Sequence, residues 1–412
     1  MRGEGQGRLI HPVRTLRTVV IAGAGIGGLT AALALAARGF RVLVIETAER
    51  LEEAGAGLQL SPNATRILIG LGLHERLSAR ALIPEAVSIM SVRHGGEICR
   101  LPLGEAAASR AGAPYWVMHR ADLQAALLEQ VHDHPGIELR LGANAEDAAA
   151  YATGANAEVC GGTTHPQETA WALIGADGVW SALRRRLFPN AAALFSGLIA
   201  WRGTVETAQL PHDMAAPRIQ LWMGPDAHLV TYPMSGGRRI NLVAVVPGGW
   251  TEPGWSAVGD AAEIQRAFAQ ASWPQPARLM IDAVDHWRKW ALFTMPPMAA
   301  WHRDTTALLG DAAHAMLPFA AQGAGMAIED AAVLARCLGE AANGNSESVA
   351  SALARYAGLR RARVARMQDT AQLNGRIYHL RGVAASARDL AIRAMGPQRM
   401  LARQDWIYNW RP

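Results

Sequence analysis

Three glycines and one acid near the N-terminus have the types and spacing to hold a phosphate-bearing ligand. Gly23-x-Gly25-x-x-Gly28 follows the β-branched run Val19-Val20-Ile21, and Glu46 comes 23 positions after Gly23. Between a strand and a helix, the first glycine permits a tight turn and the second lets backbone approach a pyrophosphate. The third lets helix and strand pack closely. The pyrophosphate would rest on the amides and positive end of the helix, and Glu46 would accept hydrogen bonds from a ribose. The pattern is that of a dinucleotide site, and it does not by itself separate NAD from FAD. The competing reading is a glycine turn of no chemical consequence, against which the second strand and its closing acid both argue.

A second set of residues could move a proton or hold a carboxylate. His228 and Tyr232 stand four apart in "HLVTYP", so on a strand their side chains share a face. Histidine titrates near neutral pH and suits a base; a half-buried His and Tyr bonded to neighbouring strands is the plainer alternative. Arg202 could pair with a substrate carboxylate, sit near a cofactor, or make a surface salt bridge. Asp177-Gly178 in "ALIGADGVWSALRRRLF" and Gly310-Asp311 in "TALLGDAAHAMLPFAAQGAGMAIEDAAVLARCL" each follow a strand-like run. Asp177 could instead cap a turn, and Asp311 the helix starting near Ala312. His314 reads as a structural residue at a helix start. His132 and His134 flank Asp133 before Pro135 with no third ligand in view, so no metal site is expected.

The elements that must position these groups are visible in the pattern. Thr18 to Ala37 is twenty residues without a charge, between Arg17 and Arg38, long enough for a membrane span. Four glycines within six positions and the β-branched cluster argue instead for strand Thr18–Ala22, a turn, and a helix from about Gly27 to Arg38, with "RVLVIE" as the next strand. "GLIAWRGTVET", "PRIQLWMG", "HLVTYPMSG" and "RRINLVAVVP" alternate with period two and read as an antiparallel sheet. After Gly325 the chain is largely helical, with a break at "ANGNSES" and a last amphipathic stretch ending near Trp410. A chain of 412 residues, half of them hydrophobic, can bury a large core and is expected to form two domains. The leader "MRGEGQGRLIHPVRT" is polar and carries no signal-peptide pattern. Cys99, Cys160 and Cys337 are odd in number and far apart, which points to a reducing cytoplasm. The net charge of +5 is carried by scattered arginines, with Lys289 the single lysine and clusters only in "LRRRLF" and "GLRRARVAR". Nucleic-acid binding would need a basic face with interleaved aromatics; an anionic small molecule is the simpler expectation.

Taken in order, the glycine fingerprint, the Asp177-Gly178 block and the Gly310-Asp311 block resemble the single-component FAD-dependent aromatic hydroxylases across roughly Thr18 to Gln372. "GAGLQLSPNA", "WRGTV" and "QDWIYNW" look most like salicylate and 6-hydroxynicotinate hydroxylases. The resemblance implies that Gly23, Gly25, Gly28 and Glu46 hold the ADP half of FAD, with Arg50 nearby. Arg120 in "HRADLQAALLE" would reach the phosphate and ribityl region. Asp177 and Gly178 would serve FAD and nicotinamide binding, and Asp311 the ribityl chain. Backbone from Gln322 through Gly323 and Ala324 to Gly325 would face the flavin ring, where a helix N-terminus favours the negative charge of reduced flavin. His228 and Tyr232 would hold and deprotonate a phenolic hydroxyl as a relay. Pro318 stands where some relatives carry a substrate-contacting glutamine, which weighs against a 3-hydroxybenzoate-type pocket and toward a salicylate type.

The expected architecture is α/β. A Rossmann-like FAD-binding domain with a mostly parallel sheet is expected from residues 17–90, 114–190 and 290–375. Residues 91–113 and 191–289 would form an antiparallel substrate-domain sheet, and 376–412 C-terminal helices. The expected activity is hydroxylation of a small, salicylate-like aromatic acid with O₂ and NADH or NADPH, through a flavin C4a-hydroperoxide. A flavin oxidoreductase without oxygen insertion, and a non-catalytic FAD-binding protein, are the alternatives. The expected setting is a cytoplasmic monomer or homodimer without nucleic-acid partner or membrane span.

Overall fold

A computed structural model describes residues 17–51, 57–143, 170–211, 214–252, 254–269, 273–341 and 346–412. The N-terminal leader, Cys160 and most of the "ANGNSES" break lie outside the described residues.

The glycine fingerprint opens a six-stranded sheet. Its strands are β1 (Thr18–Ala22), β2 (Arg41–Ile45), β7 (Ile137–Arg140), β8 (Ala172–Gly175), β15 (His302–Arg303) and β16 (Thr306–Leu308), in the spatial order β15-β16-β8-β1-β2-β7. All pairs are parallel except β15–β16. Every residue of β1 is buried, as expected for a parallel strand covered on both faces. The run that resembled a membrane span is thus β1, a turn, and the helix Ile26–Ala36. No helix of the described residues is long and apolar enough to cross a membrane. The helices Gly323–Glu340 and Ser346–Tyr378 pack behind this sheet and belong to the same hydrophobic core.

A second sheet has eight strands. They are β4 (Ala86–Ser91), β5 (Gly96–Pro102), β9 (Leu194–Glu206), β10 (Ile219–Gly224), β11 (Ala227–Met234), β12 (Arg239–Pro247), β13 (Ser256–Gly259) and β14 (Trp287–Thr294), in the order β13-β14-β9-β12-β11-β10-β4-β5. It departs from the expected antiparallel sheet at one place, since β10 runs parallel to β4. The divisions drawn at 90/91 and 289/290 fall inside β4 and β14. Period two sorts its faces. Trp201, Trp222, Leu229 and Leu242 pack with Ile264, Phe268 and Met280 of two covering helices and with Trp273 between those helices, while Arg202, His228, Val230, Tyr232 and Val243 face a cavity. A short ribbon, β3 (Gly57–Leu60) paired with β6 (Trp116–His119), contributes to the cavity's wall.

Candidate active site

The three fingerprint glycines meet three separate steric demands. Gly23 has φ +106°, and a Cβ there would lie 2.4 Å from the Ala176 carbonyl oxygen. A Cβ on Gly28 would lie 2.0 Å from the Gly23 carbonyl oxygen, which is where helix meets turn. Gly25 has ordinary extended backbone (φ −71°, ψ 179°), nothing within 4 Å of a built Cβ, and a place in the cavity wall. It alone of the three leaves room for a ligand. Glu46 Oε2 accepts the Ala24 amide at 2.8 Å and Oε1 the Ala48 amide at 3.0 Å. The acid expected to meet a ribose therefore also braces the turn.

The cavity measures about 870 Å³ and runs from Gly25 and Gly27 past Arg120, Gly310, Asp311, Gly323 and Ala324 to the sheet face carrying Arg202, His228 and Tyr232. Its far side is the helix Gly382–Ala402, through Ala387, Ile392 and Met395. Mostly apolar walls with a few convergent polar groups make it suited to a small-molecule site. Asp311, exposed, opens the short helix Asp311–His314 and makes no hydrogen bond among the described residues. Arg120 opens the helix Arg120–His132 and lines the cavity, as does Pro318 at the head of a single 3₁₀ turn.

Several expected contacts are directed elsewhere. Gln322 is buried, its Nε2 donating to Ser61 Oγ at 2.8 Å and its Oε1 accepting from Asn63 Nδ2 at 3.1 Å. A Cβ on Gly325 would lie 2.9 Å from Gln322 Oε1, so this glycine makes room for the inward side chain. Of Gln322 to Gly325, only Gly323 and Ala324 line the cavity. Asp177 Oδ2 accepts the Ala182 and Leu183 amides at 2.8 and 3.2 Å, capping the helix Ala182–Leu187. Gly178, not Asp177, lines the cavity, and Asp177 Oδ1 is buried without a hydrogen bond. Arg50 is exposed on the loop after β2, outside the cavity wall. Gly23 and Gly28 shape the turn from behind it.

The loop facing the cavity is held by a buried charged network that the sequence pattern hid. Arg360 Nε donates to Asp330 Oδ1 at 2.6 Å, and Arg363 grips both Glu329 oxygens at 2.6 and 2.7 Å. Asp330 Oδ2 accepts from His314 Nε2 at 2.5 Å and from the Gly310 amide at 3.1 Å, next to Asp311. Burial alone would raise the Asp330 carboxyl, but His314 and Arg360 outweigh it and hold it down to about 2. Two arginines of "GLRRARVAR" are thus turned inward, and His314 serves this network, as expected of a structural residue. Arg184, also buried, donates to the Ala312 and Val179 carbonyls at 2.9 and 2.5 Å, tying the Asp177 and Asp311 blocks together.

His228 and Tyr232 face the cavity from one strand, as the alternation implied. They do not form a direct relay, because four residues of extended chain separate them by about 13 Å. A two-residue turn at Pro225-Asp226 joins β10 to β11 and sets His228 one residue after the strand begins. Its partner is His379, with Nδ1 of His228 lying 2.8 Å from Nε2 of His379. Phe319 and Tyr378 close on the ring edge-on at 4.8 and 5.4 Å. Burial first, and the His379 imidazole second, lower the His228 pKa well below the usual histidine value. Burial raises the Tyr232 phenol, with nearby Arg202 opposing, so Tyr232 stays protonated near neutral pH. The Arg202 guanidinium lies 5.2 Å over the Trp290 ring. Sequence reasoning missed Asn374, Tyr378 and His379; the first two bond the Phe319 carbonyl at 3.0 and 3.1 Å and fix the turn after Pro318. The polar residues of "AQLNGRIYHL" within a helical run were the available signal.

Residues 17–371 match the family described as FAD binding domain. The chain is 36% identical to a 3-hydroxybenzoate 6-hydroxylase of Polaromonas naphthalenivorans (strain CJ2), over 95% of this chain and 96% of that one. It is 33% identical to a 6-hydroxynicotinate 3-monooxygenase of Pseudomonas fluorescens, over 80% and 84%. In fold it is similar to a salicylate hydroxylase solved as a substrate complex, with a TM-score of 0.76, 24% identity and 96% of each chain covered.

Proposed function

The chain belongs to the FAD binding domain family and is an FAD-dependent aromatic monooxygenase, and we propose that it hydroxylates a small phenolic acid using NADH or NADPH. The observation that carries this reading is the continuity of one cavity, from the open space at Gly25 to the sheet face bearing Arg202, His228 and Tyr232.

The residues present fit FAD. Gly25 and the first amides of the helix Ile26–Ala36 would take the pyrophosphate, Asp311 the ribityl hydroxyls, and Gly323–Ala324 the ring edge, with Arg120 and Gly178 alongside. The turn itself would be held by Gly23, Gly28 and Glu46. When bound, FAD supplies electrons drawn from the nicotinamide and activates O₂.

The chain's own part is to bind the acid and remove a proton. Arg202 would pair with the carboxylate and Tyr232, protonated, would donate a hydrogen bond beside it. His228, neutral and bare at Nε2, would accept the phenolic proton, because a phenolate ring gives electrons far more readily than a phenol. Valine, isoleucine and leucine side chains around it exclude water. Pro318 offers no donor where a glutamine would bond a substrate hydroxyl, which favours salicylate. Similarity along the chain to 3-hydroxybenzoate 6-hydroxylases makes 3-hydroxybenzoate the second candidate.

The test is NAD(P)H oxidation stimulated by salicylate, 3-hydroxybenzoate and 6-hydroxynicotinate under ¹⁸O₂, with product analysis. One of them should gain a single labelled oxygen. Oxidation without label in the product, or no stimulation by any phenolic acid, overturns the reading.

A further inference from the structure

A buried base must pass its proton on, and among the described residues His379 offers His228 a route. His228 is buried; its Nδ1 lies 2.8 Å from Nε2 of His379, and its Nε2 makes no hydrogen bond among the described residues. His379 is only half-buried. It follows directly on the helix Ser346–Tyr378, whose last carbonyls, Ile377 and Tyr378, accept hydrogen bonds from Arg388 at 3.0 and 3.1 Å. The ring pair is therefore held from two separate elements, β11 and the C-terminal end of the long helix.

Resting on the phenolic-acid reading above, we infer that His228 and His379 form a two-imidazole proton wire from the cavity to solvent. With its proton on Nδ1, His228 takes the phenolic proton at Nε2 and gives the Nδ1 proton to Nε2 of His379. His379, carrying its own proton on Nδ1, releases that one to water. After hydroxylation the same steps run backward: Nε2 of His228 returns a proton to the product's oxygen, Nδ1 recovers one from His379, and His379 takes one from water. No charge stays on either ring between steps.

The surroundings favour transfer over storage. Phe319 and the protonated Tyr378 pack against His228, and neither offers a charge that would hold an imidazolium. Among the described residues, the charged groups nearby are Arg388 at the helix end and the exposed Asp226–Arg381 ion pair at the hairpin turn. Burial lowers His379 to about 4 and His228 well below its usual value, so both are neutral near pH 7. His379 acts through His228 and is a relay residue, not a contact for the substrate.

The experiment uses the full-length, FAD-loaded protein, with salicylate and 3-hydroxybenzoate as probes, in wild type, His379→Gln and His379→Ala. Ultraviolet titration reads the pH midpoint at which the bound phenol becomes phenolate, without turnover. An indicator dye in stopped flow reads proton release. In His379→Gln release should slow at least about tenfold, while the midpoint, an equilibrium property that a relay does not set, stays within about half a unit and FAD content and its reduction by NAD(P)H remain intact. Imidazole added to His379→Ala should restore release. Unchanged release in both variants, or a loss in His379→Ala that imidazole does not restore, overturns the wire. If wild type hydroxylates no phenolic acid, the functional reading fails and the wire fails with it. If wild type hydroxylates and the variants match it, the wire alone fails.

Discussion

His228 and Tyr232 look into one cavity from one face of β11, yet about 13 Å of extended strand separates them. That spacing gives the two residues different work. A substrate can meet Tyr232 and His228 at different points, but no proton passes directly from one residue to the other.

Tyr232→Phe should therefore keep FAD, flavin reduction and product formed per NAD(P)H close to wild type. It should raise KM for the phenolic acid roughly two- to tenfold, the loss of one hydrogen bond. His228→Gln should leave KM less affected and cut product per NAD(P)H, with H₂O₂ appearing instead. The missing base is worth roughly 10²–10⁴-fold, and raising pH from 6.5 to 9 should recover part of it as solvent removes the phenolic proton. Equal uncoupling in the two variants would show that the roles are not divided in this way.

Gly23 and Gly25 should respond in opposite ways to added side chains. Gly25→Val faces open space on ordinary backbone, so melting should stay near wild type while FAD is lost. Gly23→Ala drives a Cβ to 2.4 Å from the Ala176 carbonyl at φ +106° and should yield little folded protein. Thermal unfolding and flavin content of the purified variants decide it, and a stable, yellow Gly25→Val would move the cofactor elsewhere.

Asp311→Ala removes an exposed carboxylate that makes no hydrogen bond among the described residues, so stability should shift by no more than about 0.5 kcal/mol. FAD affinity should fall by about 1.5–3 kcal/mol, roughly ten- to hundredfold in Kd. Denaturant unfolding of the apoprotein measures the first arm and its isothermal titration with FAD the second. Unchanged affinity would mean that Asp311 does not meet the cofactor.

Asp330 makes stability depend on acid pH. Its carboxyl titrates near 2 in the folded chain and near 3.8 in the ordinary state, because His314 and Arg360 outweigh its burial. A depressed folded pKa stabilises above the unfolded value and loses that contribution as pH falls through the folded one. About 2 kcal/mol should thus disappear between roughly pH 4 and 2. Denaturant unfolding of wild type and Asp330→Asn should show a gap that is constant above pH 5 and closes below 4. A gap independent of pH would mean that the carboxylate is not the group being held.

The local parts of this protein were legible in its sequence because short-range sterics write them. A strand, a turn that needs φ > 0 at Gly23, a helix that must touch the turn at Gly28, and an acid closing the next strand leave the same spacing wherever they occur. The period of two that set His228 and Tyr232 on one face is equally local. What packing decided was who meets whom. His228 and His379 lie 151 positions apart, and nothing in "RIYHL" names its partner. Arg360 and Arg363 are, in the sequence, two arginines of the cluster "GLRRARVAR", and the long helix turns them onto Asp330 and Glu329. Asp177, whose two uses the sequence left open, caps its helix because the Ala182 and Leu183 amides stand where its Oδ2 can reach them. The C-terminal helix became a cavity wall in the same way. An amphipathic pattern states that a face will be buried, and only the assembled tertiary structure, through shape and desolvation, selects the surface that buries it.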